Sequence, residues 1–352
     1  MENKLGILEK GRGGMTLLVV LAHINLLVDC NLFHGLFIQG WCGVDFFFVL
    51  SGFLMIWTYN ERTSPIAYVK KRFIRIYPVY WVYTLVTLIM NLFIVLIFDS
   101  SLISWINLDL SGFIRSFLCL PTNVAINEMP IIPPAWTLSY EIFFYIISLF
   151  LYIYGRRIFR GILIVWGGLI ITRTGFIISN PYIDFILDPL FLEFLGGMLI
   201  AQIIKYKESK KIENVISLGV GIVWLVVFWS MENMEIDILT HFNRVFKFGV
   251  AFAFIVYGAV GLEISGMFKN RKNFGSSILE FLERISFSLY LVHYPLVAML
   301  SIMCRKLHIS AIVAFVAISS ICILAGGISH YLIEKNIIYV CNKKFIENVK
   351  SY

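Results

Sequence analysis

Long apolar runs recur along this chain, separated by short polar stretches in which lysine and arginine collect. A membrane-crossing helix needs about 20 mostly apolar residues. Ten stretches meet that need, at residues 13–28, 36–58, 77–98, 135–154, 159–178, 184–204, 213–231, 244–264, 285–304 and 310–333. The pattern therefore predicts an all-α integral membrane protein of about ten transmembrane helices. The first run is not a signal peptide, because no small-residue cleavage site follows it and nine more runs come after. The longest segment between runs, about residues 99–134, contains Pro121, Pro130, Pro133 and Pro134. Within it, Ser111–Thr122 reads as a re-entrant or interfacial piece. No soluble domain is expected beside the membrane domain, which fills residues 1–352 with a core of about 10–335.

The placement of charge orients the helices. If the ten runs alternate in direction, 23 of the 29 basic residues fall on the side of the N-terminus. They include Arg62, Lys70 to Arg75, Arg156 to Arg160 and Lys205 to Lys211. The opposite side holds Arg115, Arg173, Arg244, Lys247, Arg305 and Lys306. By the positive-inside rule both termini are cytoplasmic. The net charge of +7 is thus mostly topology, and no nucleic-acid partner is read into it. Composition agrees, with 59% hydrophobic and 14% charged residues. Soluble domains run about 45–50% apolar and about 25% charged. The six cysteines are scattered without metal-ligand spacing, so neither a disulfide framework nor a metal site is expected.

Polar residues inside the runs carry the chemistry. An ionisable group at mid-membrane costs about 2.5–3.5 kcal/mol on insertion scales, so each one marks a cavity, a partner helix or a site. Arg12 and His23 lie eleven residues apart. That is about 16 Å along a helix and about 20° apart around it. One face then carries a guanidinium suited to phosphate at the cytoplasmic mouth and an imidazole suited to general-base work at depth. Asp45, roughly 13 Å into the second run, reaches a similar depth and is expected to pair with His23. Arg72 and Arg75, at i and i+3, reach one ligand at the level of Arg12. Position alone supports headgroup anchoring equally well. Trp136 stands at the outer entrance of the fourth run, Glu141 falls in its outer half and shares a helix face with Tyr145, and Glu193 falls near the middle of the sixth. Gly52 and the Gly196-Gly197 pair suit close helix packing. His293 lies about 12 Å deep beside Pro295. Glu334 closes the last run, placed to meet an arginine.

Five of these segments resemble the acyltransferase-3 family of integral-membrane O-acyltransferases: Arg12 with His23, Gly43–Phe53, Arg72–Trp81, Trp136–Glu141 and Ser286–Pro295. The resemblance implies transfer of an acyl group, usually acetyl, from cytoplasmic acyl-CoA to a hydroxyl of an extracytoplasmic sugar. The sugar belongs to a surface polysaccharide or its lipid-linked precursor, and the membrane is a bacterial plasma membrane. No cofactor is permanently bound, and acetyl-CoA is a co-substrate. His23 and Asp45 are then the catalytic residues, with His23 either general base or transient acyl carrier. Arg12, Arg72 and Arg75 hold the CoA phosphates. Trp136, Ser139, Glu141, Tyr145 and His293 face the acceptor. A transporter or flippase of polysaccharide precursors is the competing reading, although the inverted repeats common in such proteins are not evident.

Overall fold

The computed structural model describes residues 5–28, 37–98, 110–121, 129–173, 178–207, 210–229, 238–267 and 274–350. Every regular element among them is helical. The helices are α1 (Gly6–Val28), α2 (Gly43–Trp57), α3 (Pro65–Phe98), α4 (Leu110–Leu118), α5 (Trp136–Thr172), α6 (Pro181–Ile186), α7 (Phe191–Tyr206), α8 (Lys211–Trp229), α9 (Ile238–Arg244), α10 (Val250–Ile264), α11 (Phe274–Lys306), α12 (Ala311–Ser329) and α13 (Lys335–Lys350). Among the described residues, eight helical stretches are long and apolar enough to cross a membrane.

The difference between eight and ten has a physical cause. The stretch Pro133–Thr172 counts once by continuity, yet Gly155 interrupts it at φ 75° and ψ 176°. The chain turns back there. Phe143 and Trp166 would lie about 35 Å apart on a straight helix, but their rings are 5.9 Å apart. Two of the expected runs thus share α5. Another lies in α7, whose 16 residues are short for a span.

Contacts group the chain into two compact units. The first comprises Met1–Met15, Cys42–Ser64 and Phe143–Glu283; the second comprises Thr16–Trp41, Pro65–Ile142 and Arg284–Tyr352.

In the first unit α2 and α7 cross backbone to backbone. A Cβ on Gly52 would collide with the backbone of Phe194, and one on Gly197 with the carbonyl of Val49. Small residues that let helices approach this closely are the usual device of membrane interfaces. Gly196, the other half of the expected pair, faces open space. Around the crossing Phe48 and Phe144 pack on Phe194 at ring separations of 4.6 and 4.5 Å. The start of α1 is fixed here too. Its Gly6 and Ile7 amides donate to the two carboxylate oxygens of Glu263, at 2.8 and 3.1 Å. A carboxylate there meets otherwise unsatisfied donors and the positive end of the helix dipole.

In the second unit α4 and the chain after it dip to the middle of longer helices. The last carbonyls of α4 would be unsatisfied. Tyr80, Trp81 and Tyr77, well inside α3, donate to the carbonyls of Ser116, Phe117 and Leu118 at 2.8, 2.9 and 3.0 Å. Ile131 and Ile132 are fully buried, and the Pro134 carbonyl accepts from Tyr290 at mid-α11. Irregular backbone at membrane depth survives only when enclosed by protein in this way. Of the re-entrant or interfacial piece expected at Ser111–Thr122, the part to Pro121 is described and its helix end is bonded to α3; Thr122 lies outside the described residues.

Candidate functional site

The second unit brings two histidines together. His23 on α1 and His293 on α11 have ring centroids 5.0 Å apart. Each ring sits in a helix that supplies a backbone acceptor one turn earlier. His23 Nδ1 is 2.9 Å from the Val19 carbonyl, and His293 Nδ1 is 3.1 Å from the Leu289 carbonyl. A carbonyl can only accept, so both Nδ1 atoms carry hydrogen. His293 Nε2, 3.3 Å from His23 Nδ1, is then a lone pair aimed at that hydrogen. The consequence for His23 is a free Nε2 lone pair on a half-buried ring. His293 itself is fully buried.

Around the pair, Tyr294 meets His23 edge-on at 5.3 Å. Tyr290, one turn before His293, donates to the Pro134 carbonyl at 2.6 Å and lies 2.8 Å from the Thr137 hydroxyl. The start of α5 is thereby tied to the histidine helix. Ser139 donates to the Leu120 carbonyl at 3.1 Å, which commits its proton to holding the re-entrant segment. Trp136 packs edge-on against Tyr140, and Trp136 and Glu141 are half-buried. Tyr145 belongs to the first unit and is buried beside Phe144. On α3 Arg75 is exposed and the Arg72 guanidinium lies over the Tyr68 ring at 5.4 Å.

The first unit holds the remaining expected residues with other partners than the sequence suggests. Asp45, expected beside His23, accepts from Arg244 through both oxygens, at 2.8 and 2.9 Å. Asp45 is 0% and Arg244 8% exposed. Sequence counting had placed Arg244 among the outer charges. It is buried at the end of α9, just before a π-helical turn, Val245–Gly249, whose Gly249 lies against the Glu193 side chain. Buried charges persist only when paired, and Asp45 meets that need for Arg244. Next to them Asp188 accepts from the His241 ring at 2.7 Å. Arg12 forms an ion pair with Glu283. The contact depends on Gly13, where a Cβ would stand 2.6 Å from the Leu279 carbonyl. Among the described residues Glu334 of the second unit meets Ser288 and His330 rather than an arginine: it accepts from Ser288 at 2.6 Å and pairs with His330 at 3.0 Å.

Arg244, Tyr290 and Thr137 escaped the sequence reading. Arg244 carried one signal, a cation heading an apolar run. Thr137 and Tyr290 lay inside segments already singled out, unmarked because hydroxyls are common in membrane helices.

The chain is thus a multi-pass helical membrane protein with an imidazole pair inside its second unit. The sequence profile of the family described as "Acyltransferase domain", acyltransferase 3, matches residues 8–331, and the chain belongs to that family. Membership implies an acyl donor and acyltransferase activity. The chain is also similar to the exopolysaccharide production protein ExoZ of Rhizobium meliloti (strain 1021). The two are 32% identical over 180 residues, covering 47% of this chain and 51% of ExoZ. The chain thus spans about half the length of this curated relative. No solved structure matches it.

Proposed function

We propose that this protein is an O-acyltransferase of a bacterial plasma membrane, with both termini cytoplasmic. It moves an acetyl or other acyl group from cytoplasmic acyl-CoA to a hydroxyl of an extracytoplasmic sugar. The acceptor is a surface polysaccharide or its lipid-linked precursor, a choice supported by the similarity to ExoZ, an exopolysaccharide production protein. The contact between His23 and His293 carries the reading.

His23 offers its Nε2 lone pair to the acceptor hydroxyl and takes the proton as the oxygen attacks the thioester carbonyl. The C–O bond forms, the C–S bond breaks, and the proton passes from His23 to the departing thiolate. While His23 is charged, its Nδ1–H is held by the Val19 carbonyl and the His293 Nε2 lone pair. His293 thus plays the orienting part that a carboxylate plays in a hydrolase triad. The same geometry serves attack by His23 Nε2 on the thioester, with the acyl group resting on the ring before transfer.

Arg72 and Arg75 grip the CoA phosphates through guanidinium forks. Arg12 exchanges Glu283 for phosphate in its own unit. Trp136 and Glu141 meet the sugar, one by stacking and the other by accepting hydroxyl hydrogens. Ser139 holds the segment that presents them, and Asp45 acts through Arg244 as a positioning residue.

The test is the O-acyl content of surface glycans by proton NMR before and after mild alkali. A deletion strain is complemented with wild type or His23→Ala at equal membrane levels. An ester signal restored only by wild type is expected. Near-normal esterification with His23→Ala overturns the assignment.

A further inference from the structure

A basic cleft in the first unit is lined by none of the residues given a role in the proposed reaction. It opens where α2 ends, where α5 turns back at Gly155 and where α7 ends, and Arg156, Arg160 and Lys205 converge on it with Tyr59 and Tyr206. Two of the cations are held in place. Lys205 donates to the last carbonyls of α2, Ile56 at 2.7 Å and Trp57 at 2.9 Å, with its ammonium 5.4 Å from the Trp57 ring centre. Arg156 donates to the Tyr206 hydroxyl at 2.9 Å, lies over the Tyr59 ring and meets the exposed Glu61 carboxylate at 3.2 Å. Arg160 has no ion-pair partner among the described residues, and its side chain is exposed. Of the three cations, Arg156 is the one paired with a carboxylate among the described residues, and that carboxylate, Glu61, is at the solvent edge.

The surroundings say what kind of anion fits. Tyr206 lines the cleft and is exposed, and Ile153, Tyr154 and Ile158 on α5 and Ile203 on α7, neighbours in sequence of the lining residues, are exposed apolar or aromatic side chains. A soluble anion has no use for such a border, whereas an acyl chain does. Tyrosine and tryptophan at a helix end mark the headgroup level of a bilayer, and basic pockets between helix ends at that level bind anionic headgroups.

We propose that the exposed rim of this cleft, whose interior of about 30 Å³ has room for little more than a water, docks the phosphodiester headgroup of an acidic glycerophospholipid. Its acyl chains run along the exposed faces of α5 and α7. Arg160 and Arg156 hold the phosphate oxygens as guanidinium donors, and Lys205 keeps the end of α2 fixed beneath them. The bound lipid clamps together the ends of α2, α5 and α7, in the unit where Gly52 and Gly197 make their close crossing. The inference does not depend on the acyl-transfer reaction.

The full-length protein, purified in detergent and delipidated, is titrated with phosphatidylglycerol, phosphatidylcholine, inorganic phosphate and free CoA, with binding followed by native mass spectrometry and thermal melting. Phosphatidylglycerol is expected to bind and to raise the melting temperature well above the effect of phosphatidylcholine. Arg160→Gln is expected to weaken phosphatidylglycerol about tenfold, the size of one charge-assisted hydrogen bond. Arg157→Gln, a neighbouring arginine that does not line the cleft, should leave binding unchanged. Equal affinity for the two lipids overturns the proposal, as does an equal loss in both variants. Displacement of the lipid by inorganic phosphate or CoA at matching concentration also overturns it, because the site would then belong to a soluble anion.

Discussion

Nε2 of His293 stands 3.3 Å from Nδ1 of His23, with each Nδ1 already directed at a carbonyl of its own helix. This relationship sets the tautomer of both rings and leaves the Nε2 of His23 as the one lone pair of the pair open to a substrate. Replacing His293 by alanine removes the acceptor behind His23 without touching the reacting nitrogen. Transfer should fall about 10²–10⁴-fold, the usual worth of a placed acid–base group. His293→Gln, whose amide oxygen can accept from His23, should recover part of the loss. The measurement is kcat and KM for acyl transfer in membranes with matched protein levels. Equal activity of the alanine variant and wild type would show that the contact is not used.

The CoA-binding role of Arg72 and Arg75 predicts a split in the kinetic constants. Arg72→Ala or Arg75→Ala should raise KM for acyl-CoA about tenfold or more, since hydrogen bonds to charged groups contribute about 1.5–3 kcal/mol each. KM for the acceptor should stay near its wild-type value. An equal rise for both substrates would point to a structural role at the membrane surface instead.

Asp45 and Arg244 form a buried ion pair joined by two hydrogen bonds. Removing one partner strands the other charge, and such losses are about 3–5 kcal/mol. Asp45→Ala and Arg244→Ala should each lower the unfolding midpoint of the detergent-solubilised protein strongly. The double variant Asp45→Leu with Arg244→Met should be less damaged than either single alanine variant. Additive losses in the double variant would mean that the two side chains act independently.

The crossing of α2 and α7 gives a cleaner stability test, because the glycines differ in their surroundings. Gly197→Ala and Gly52→Ala place a methyl group into facing backbone and should destabilise by about 1–3 kcal/mol, the usual range for overpacking. Gly196→Ala, whose new methyl group meets open space, should be neutral or slightly stabilising through helix propensity. Thermal melting of the three variants side by side checks the order, and a neutral Gly197→Ala would contradict the crossing.

Much of this protein can be read along the chain, for reasons that are local. Partition of a 20-residue segment into a membrane depends on that segment's own composition, so the apolar runs locate the helices, including both arms of α5. The need for glycine at Gly52 and for one of the Gly196-Gly197 pair follows from close helix packing. The polar residues inside the runs are few, and each stands out by its cost there. Partner choice is different. Asp45 and Arg244 are 199 residues apart in sequence, and His23 and His293 are 270 apart. The sequence puts Asp45 and His23 at similar depth, and depth alone makes them look like partners. Which helix faces which is decided by packing: by Gly13 at the start of α1 and by the Gly52–Gly197 crossing. The sequence by itself determined which side chains need partners, because the penalty for burying charge belongs to each residue. Only the tertiary structure decided which partners they found, because a hydrogen bond or ion pair forms between helix faces that packing brings within about 3 Å.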